Sequence, residues 1–156
     1  MAGCDERVGS YIPAAAIARN GFLTDQRAAA EISGREIKLW GFVDHGNLYG
    51  DAGAKRILQE WWAGEGPDAD AWRFDLKAEA GDAVGRSFAV HVPNDAERDH
   101  LLRALLADAR ARRPTRVFLK GRLFTFQAPT QISDLTGLYL EVASSRDVRL
   151  AAPNGE

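Results

Sequence analysis

Three histidines, His45, His91 and His100, are the side chains in this 156-residue chain best suited to acid–base or metal chemistry near neutral pH. Their surroundings do not form any familiar constellation. None has a second His or Cys at ligand spacing, and no H-E-x-x-H or G-x-S-x-G segment occurs. His45 stands apart because it follows Asp44 in a turn-rich stretch, D-H-G-N, which suits either a hydrogen-bonded turn histidine or a site. Glu65, Asp68 and Asp70 lack the D-x-D-x-D-G frame of a calcium loop and read as a solvated acidic connection. G-D-A-V-G-R lacks the Lys-Ser/Thr of a phosphate loop and reads as a link between strands. The single cysteine, Cys4, allows no disulfide within the chain and no Cys-based zinc site. The expectation is a non-catalytic protein with no metal and no cofactor.

Aromatic and basic side chains are better placed for recognition. They must be carried by strands. Residues 35–44, R-E-I-K-L-W-G-F-V-D, alternate with Ile37, Leu39 and Val43 on one side and Lys38, Trp40 and Phe42 on the other. Gly41 interrupts the run, which suits a bulge or bend in a closed barrel. Trp72, Phe74 and Leu76 alternate against Arg73, Asp75 and Lys77; Phe88, Val90 and Val92 alternate against Ser87, Ala89 and His91. Asn94 and Glu97 form a capping-box pattern ahead of a stripe of Leu101, Leu102, Leu105, Leu106 and Ala109. Acids open this helix, arginines close it, and Pro114 forbids its continuation. T-R-V-F-L-K-G-R-L-F-T-F repeats the L-x-G-x-Φ pattern of the first strand around Gly121, and L-Y-L-E-V-A is the last barrel strand, with R-D-V-R-L as its extension.

Shorter helices are expected over 24–33, with Gly34 as the stop, and over 54–63, where Ile57, Leu58, Trp61 and Trp62 share one face. The fold class is therefore mainly β with helices: a five-stranded OB-fold barrel (β-β-β-α-β-β) with an N-terminal helical extension and a helix inserted after strand 1. The division is an N-terminal segment and lead-in helix over 1–33, the barrel over 34–150 and a flexible tail over 151–156. The segments Q-R-A-A-A-E-I-S-G-R, E-I-K-L-W-G-F-V and V-F-L-K-G-R-L resemble the bacterial tRNA-anticodon-like OB-fold family. That resemblance implies a small binding protein, often exported or lipid-tethered, of the oligonucleotide-binding barrel type. Ala2-Gly3-Cys4 resembles the end of a bacterial lipoprotein box, with Asp5 in the position of an inner-membrane retention residue. Lipidation at Cys4 would place the protein at the bacterial envelope, on the periplasmic side of the inner membrane, as a tethered interaction module for a protein or glycan partner; without it the expectation is cytoplasmic.

Formal net charge is −2, which gives no global basic field for a polyanion. The charge is uneven: residues 44–85 carry nine acids and four bases, whereas residues 94–150 carry ten bases and seven acids. No apolar run is long enough to span a membrane, although a lipid anchor is open. The outward set of strands two and three, with Arg73 and His91, is short of both rings and cations, so it is poorly furnished for single strands. The ring surplus is on the outward sides of strands one and four: Trp40, Phe42, Phe118, Phe124 and Phe126, beside Lys120 and Arg122. Three readings fit it: a surface covered by residues 10–32, a protein-partner or weak homodimer surface on an otherwise monomeric chain, and a base-stacking surface for single-stranded nucleic acid.

Overall fold

Strict alternation of apolar and polar residues commits the middle of the chain to half-buried strands, and that is what forms. The computed structural model describes residues 7–19, 31, 33–50, 71–81, 87–127 and 136–152. Its strands are β1 (Ile12–Pro13), β2 (Glu36–Gly50), β3 (Ala71–Lys77), β4 (Ser87–Pro93), β5 (Arg116–Gln127), β6 (Thr136–Glu141) and β7 (Val148–Arg149). Its described helices are α1 (Ala14–Arg19) and α2 (Arg98–Ala111), with a single 3-10 turn over Ser145–Asp147. The protein is thus mainly β. Five strands close a barrel in the order β2-β3-β4-β6-β5 and back to β2. β4 and β6 run parallel, and the other four barrel pairs are antiparallel. The expected order of three strands, one helix and two strands is present, and the arrangement is consistent with an OB-like barrel.

The interior is filled by the residues that the alternation assigns to it. Leu39, Val43, Trp72, Phe74, Leu76, Val90, Val92, Leu119 and Leu123 form one cluster with Leu101, Leu102 and Leu105 of α2. Fully burying each such side chain contributes roughly 1.5–3 kcal/mol, so the leucine stripe holds α2 against the barrel. The two glycines of the repeated motif sit where strands press together. A Cβ at Gly41 would lie 2.8 Å from the Lys77 carbonyl oxygen, and one at Gly121 would lie 2.5 Å from that of Glu141. Only a residue without a side chain lets the barrel close at these two points.

Four expectations are corrected. The first barrel strand does not end at Asp44; β2 continues to Gly50, with a register shift against β3 between Asp44 and Leu48. The irregularity absorbs the turn-forming residues and returns Leu48 to the core. Asn94 does not cap α2. The N-cap position is Glu97, which makes no side-chain capping bond; ahead of it the Asp95 carboxylate accepts from the Glu97 N–H at 3.1 Å, the Ser145 N–H at 2.8 Å and the Ser144 hydroxyl at 3.1 Å. The side-chain amide of Asn94 is buried with no hydrogen-bond partner among the described residues. The segment R-D-V-R-L does not extend β6; the chain turns through Ser145–Asp147, and Val148–Arg149 pairs with β5 at Leu119 and Phe118. Finally, Ile12–Pro13 pairs in parallel with Leu39–Trp40, so the N-terminal segment joins the sheet instead of merely leading into it.

Cys4 and the expected helix over 54–63 lie outside the described residues, as does nearly all of the one over 24–33. No described helix is long and apolar enough to cross a membrane.

Candidate ligand-binding face

The outward residues of β3, β4, β6 and β5 assemble into two rows. Antiparallel pairing sets Arg73 opposite His91 and Asp75 opposite Ala89. Parallel pairing sets Ala89 beside Tyr139 and His91 beside Glu141. Antiparallel pairing then sets Tyr139 opposite Phe124 and Glu141 opposite Arg122. One row therefore reads Asp75, Ala89, Tyr139, Phe124, and the next reads Arg73, His91, Glu141, Arg122.

Within this patch three rings stack. His91 and Tyr139 have ring centroids 5.0 Å apart at 28°, and Tyr139 and Phe124 have theirs 5.5 Å apart at 24°. All three side chains are half-buried. Near-parallel rings on neighbouring strands form a continuous π ridge, and such a ridge can accept a planar base or a sugar face at its ends and along its edges. Cations and carboxylates border it on both sides. The Arg122 guanidinium donates to the Gly34 carbonyl oxygen at 2.9 Å, which anchors its position. Asp75 is half-buried, and burial pushes its carboxyl pKa up; the like charge of Asp44, directly opposite on β2, pushes the same way, and Arg73 partly offsets both.

The other rings have a different fate. Trp40 and Phe118 are only 5% and 2% exposed, so they are core residues and not surface ones. Tyr11 covers them, with its ring 5.7 Å from Phe118 in an edge-on contact, and Phe42 and Val8 pack at the margin. The Arg116 guanidinium lies 4.3 Å over the Trp40 ring and 5.1 Å from Phe118. Lys120 and Arg73 are exposed as expected, and the side chain of Phe126 lies outside the described residues. The expected outward face of strands one and four is therefore split: its Trp40 end is closed by the N-terminal segment, and its Phe124 end joins His91 through Tyr139. Tyr139 was the missing residue. The alternation of Leu138 and Leu140 already points it outward, but its partners become visible only once β6 is inserted between β4 and β5.

His45 is held at the bulge of β2. The Thr115 hydroxyl donates to Asp108 Oδ2 at 2.6 Å, which leaves its oxygen to accept from His45 Nε2–H at 2.7 Å. Burial lowers the imidazole pKa, an effect that Asp108 opposes, Lys77 reinforces and Asp44 opposes. Thr115 is itself buried, so this chain ties the end of α2 to the bulge. Among the described residues no group of three or more His, Cys, Asp or Glu could hold a metal ion.

Comparison with protein-family models, with curated proteins and with solved structures gave no match to this chain. The functional reading therefore rests on the barrel and its surface.

Proposed function

We infer that this protein is a non-catalytic binding module on an OB-type barrel, and that it holds a single-stranded oligonucleotide mainly by stacking. The strand order, with its parallel pair and the helix between the third and fourth barrel strands, supports the OB reading and agrees with the family resemblance of the sequence. The observation that carries the ligand reading is the ring ridge of His91, Tyr139 and Phe124 on the outer face of the barrel. Arg73, Lys120 and Arg122 are the exposed cations near it, against Asp75 and Glu141. Phosphate contacts supply the salt-dependent part of nucleic-acid affinity, so a mixed border of this kind favours weak, stacking-led binding with a shallow salt slope.

Fluorescence anisotropy of a labelled oligo-dT strand, measured at two salt concentrations, tests this. Saturable binding is expected, with Kd changing little between them. Stacking is worth about 1–3 kcal/mol per base, so Tyr139→Ala weakens binding roughly 5- to 150-fold. Absence of binding at the lower salt removes the reading.

A second reading has its own support. Asp75 and Glu141 beside the rings suit a neutral oligosaccharide, whose sugar faces stack and whose hydroxyls donate to carboxylates. Binding of an uncharged oligosaccharide in place of oligo-dT, lost in the same Tyr139→Ala variant, would assign the ridge to that ligand.

A further inference from the structure

A cavity of about 520 Å³ opens between the end of β3, the bulge of β2 and the end of α2. Its lining carries the charged and polar side chains Lys77, His45, Arg112 and Arg113 together with the apolar Val43, Ala109 and Pro114. This cavity is separate from the ring ridge, and nothing in the oligonucleotide reading uses it.

Of the cations on its walls, Arg113 is paired within the fold, whereas Lys77 and Arg112 have no carboxylate partner among the described residues. Asp108 is the nearest carboxylate, and it is already engaged: Oδ1 accepts from Arg113 at 3.0 Å and Oδ2 accepts from Thr115 at 2.6 Å. Asp44 accepts from the Gly46 N–H at 3.1 Å. Lys77 donates to the Ala80 carbonyl oxygen at 2.8 Å, a neutral acceptor.

The backbone at Arg112 is the second observation. Its φ is 54°, and it is the one non-glycine residue with positive φ among those described. It closes a Schellman motif: the Arg113 N–H reaches the Asp108 carbonyl oxygen at 2.9 Å, and the Arg112 N–H reaches that of Ala109 at 3.2 Å. Glycine is the usual residue here, because a left-handed Cβ costs roughly 1–2 kcal/mol. An arginine held there at that cost keeps a guanidinium at the cavity mouth, and strain of this kind collects at ligand clamps. The two capping hydrogen bonds occupy two of the last four carbonyls of α2, those of Asp108 and Ala109, which partly softens the negative end of the helix toward an anion.

We propose that this cavity binds a phosphate group, held by Arg112 and Lys77 with the His45 imidazole on its inner wall. The lowered pKa of His45 fits an unliganded site in which burial disfavours the cation. A bound dianion reverses that balance, so phosphate binding raises the pKa of His45. Asp44 and Asp108 are the acids that face His45, and Lys77, Arg112 and Arg113 are the bases.

Inorganic phosphate is the probe, with chloride at matched ionic strength as the control. Two readouts are expected: a rise in Tm of about 3–6 °C at ten times Kd, and an upward shift of the His45 titration followed by NMR. Arg112→Gly retains the fold, since glycine prefers this conformation, and loses both effects. Adding oligo-dT with and without a 5′-phosphate separates the sources: displacement by the phosphorylated strand alone assigns a phosphate terminus, and displacement by both assigns a phosphodiester. A phosphate response no larger than that to chloride, or one that Arg112→Gly retains, overturns the proposal. Neither result bears on whether Tyr139 binds a ligand.

Discussion

Two groups of aromatic rings stand on the outside of the same barrel, and β5 contributes to both. At one end of β5, Phe118 meets Trp40 and Tyr11 under the N-terminal segment, with Arg116 laid across the rings. At the other, Phe124 continues a stack through Tyr139 to His91, and all three rings stay half-buried. The contact geometry differs as well. The closed group meets edge to face, with interplanar angles of 89° and 82°, whereas the open one is near-parallel, at 28° and 24°. Edge-to-face packing fills a three-dimensional space and suits a core. A parallel stack makes a flat-sided ridge and suits a planar visitor. An outward-facing ring thus becomes structural where another segment is laid over it, and is half-buried where no described segment is.

The largest effect is expected in the closed group. Phe118→Ala removes a ring that is almost entirely buried against Tyr11 and Trp40, and buried Phe→Ala changes cost about 3–5 kcal/mol. Thermal unfolding followed by circular dichroism should show Tm falling by roughly 6–20 °C for a chain of this size. A fall of only a degree or two would mean that the N-terminal cover is loosely held, and the contrast between the two groups would disappear.

The sequence carried the frame of this molecule and little of the contrast. Alternation in Trp72–Leu76 and the leucine stripe of α2 were plain, because each is set by neighbours two to four residues away. The paired glycines at 41 and 121 were visible as a repeat, and their close strand contacts explain it. What escaped was non-local or carried by weak signals. Gly46 and Asn47 look like a turn, yet a bulge accommodates them within one long strand. Asn94 satisfies a capping pattern, but Asp95 bonds at once to the start of α2 and to Ser144 and Ser145, some fifty residues away. Tyr11 is a lone ring in a segment of mixed polarity, and only its parallel-paired neighbours Ile12 and Pro13 bring it over Trp40. The ridge depends on parallel pairing of β4 with β6, which no local pattern announces.

A smaller effect on stability is expected from the open group. Tyr139→Ala removes a half-buried ring whose cross-strand contacts are worth roughly 0.2–1 kcal/mol each. Urea unfolding should place the variant within about 1–2 kcal/mol of the parent chain, well short of Phe118→Ala. A loss equal to that of Phe118→Ala would make the ridge a second piece of core, and its reading as a ligand face would fail.

The smallest effect separates the groups by pH. Beside the ridge, Asp75 faces Asp44 across the β2–β3 pair, and burial together with that like charge raises its pKa above the usual carboxylate value of 3.8. The folded chain therefore holds the Asp75 proton more tightly than the unfolded chain does. Its contribution to stability is complete below pH 3.8 and is lost as pH rises through the higher folded value, which leaves a net cost at neutral pH. Asp75→Asn removes the charge and keeps the shape, so Tm should rise at pH 7 and match that of the parent at pH 3. Partial exposure screens the interaction, which keeps the gain small. The closed group is built from Tyr11, Trp40 and Phe118 with Val8 and Phe42, whose contacts are apolar, so Phe118→Ala should lose the same stability at both pH values. If Asp75→Asn instead lowers Tm at pH 7, its carboxylate is held by a favourable partner, and the acid beside the ridge is there to support the fold and not to meet a ligand.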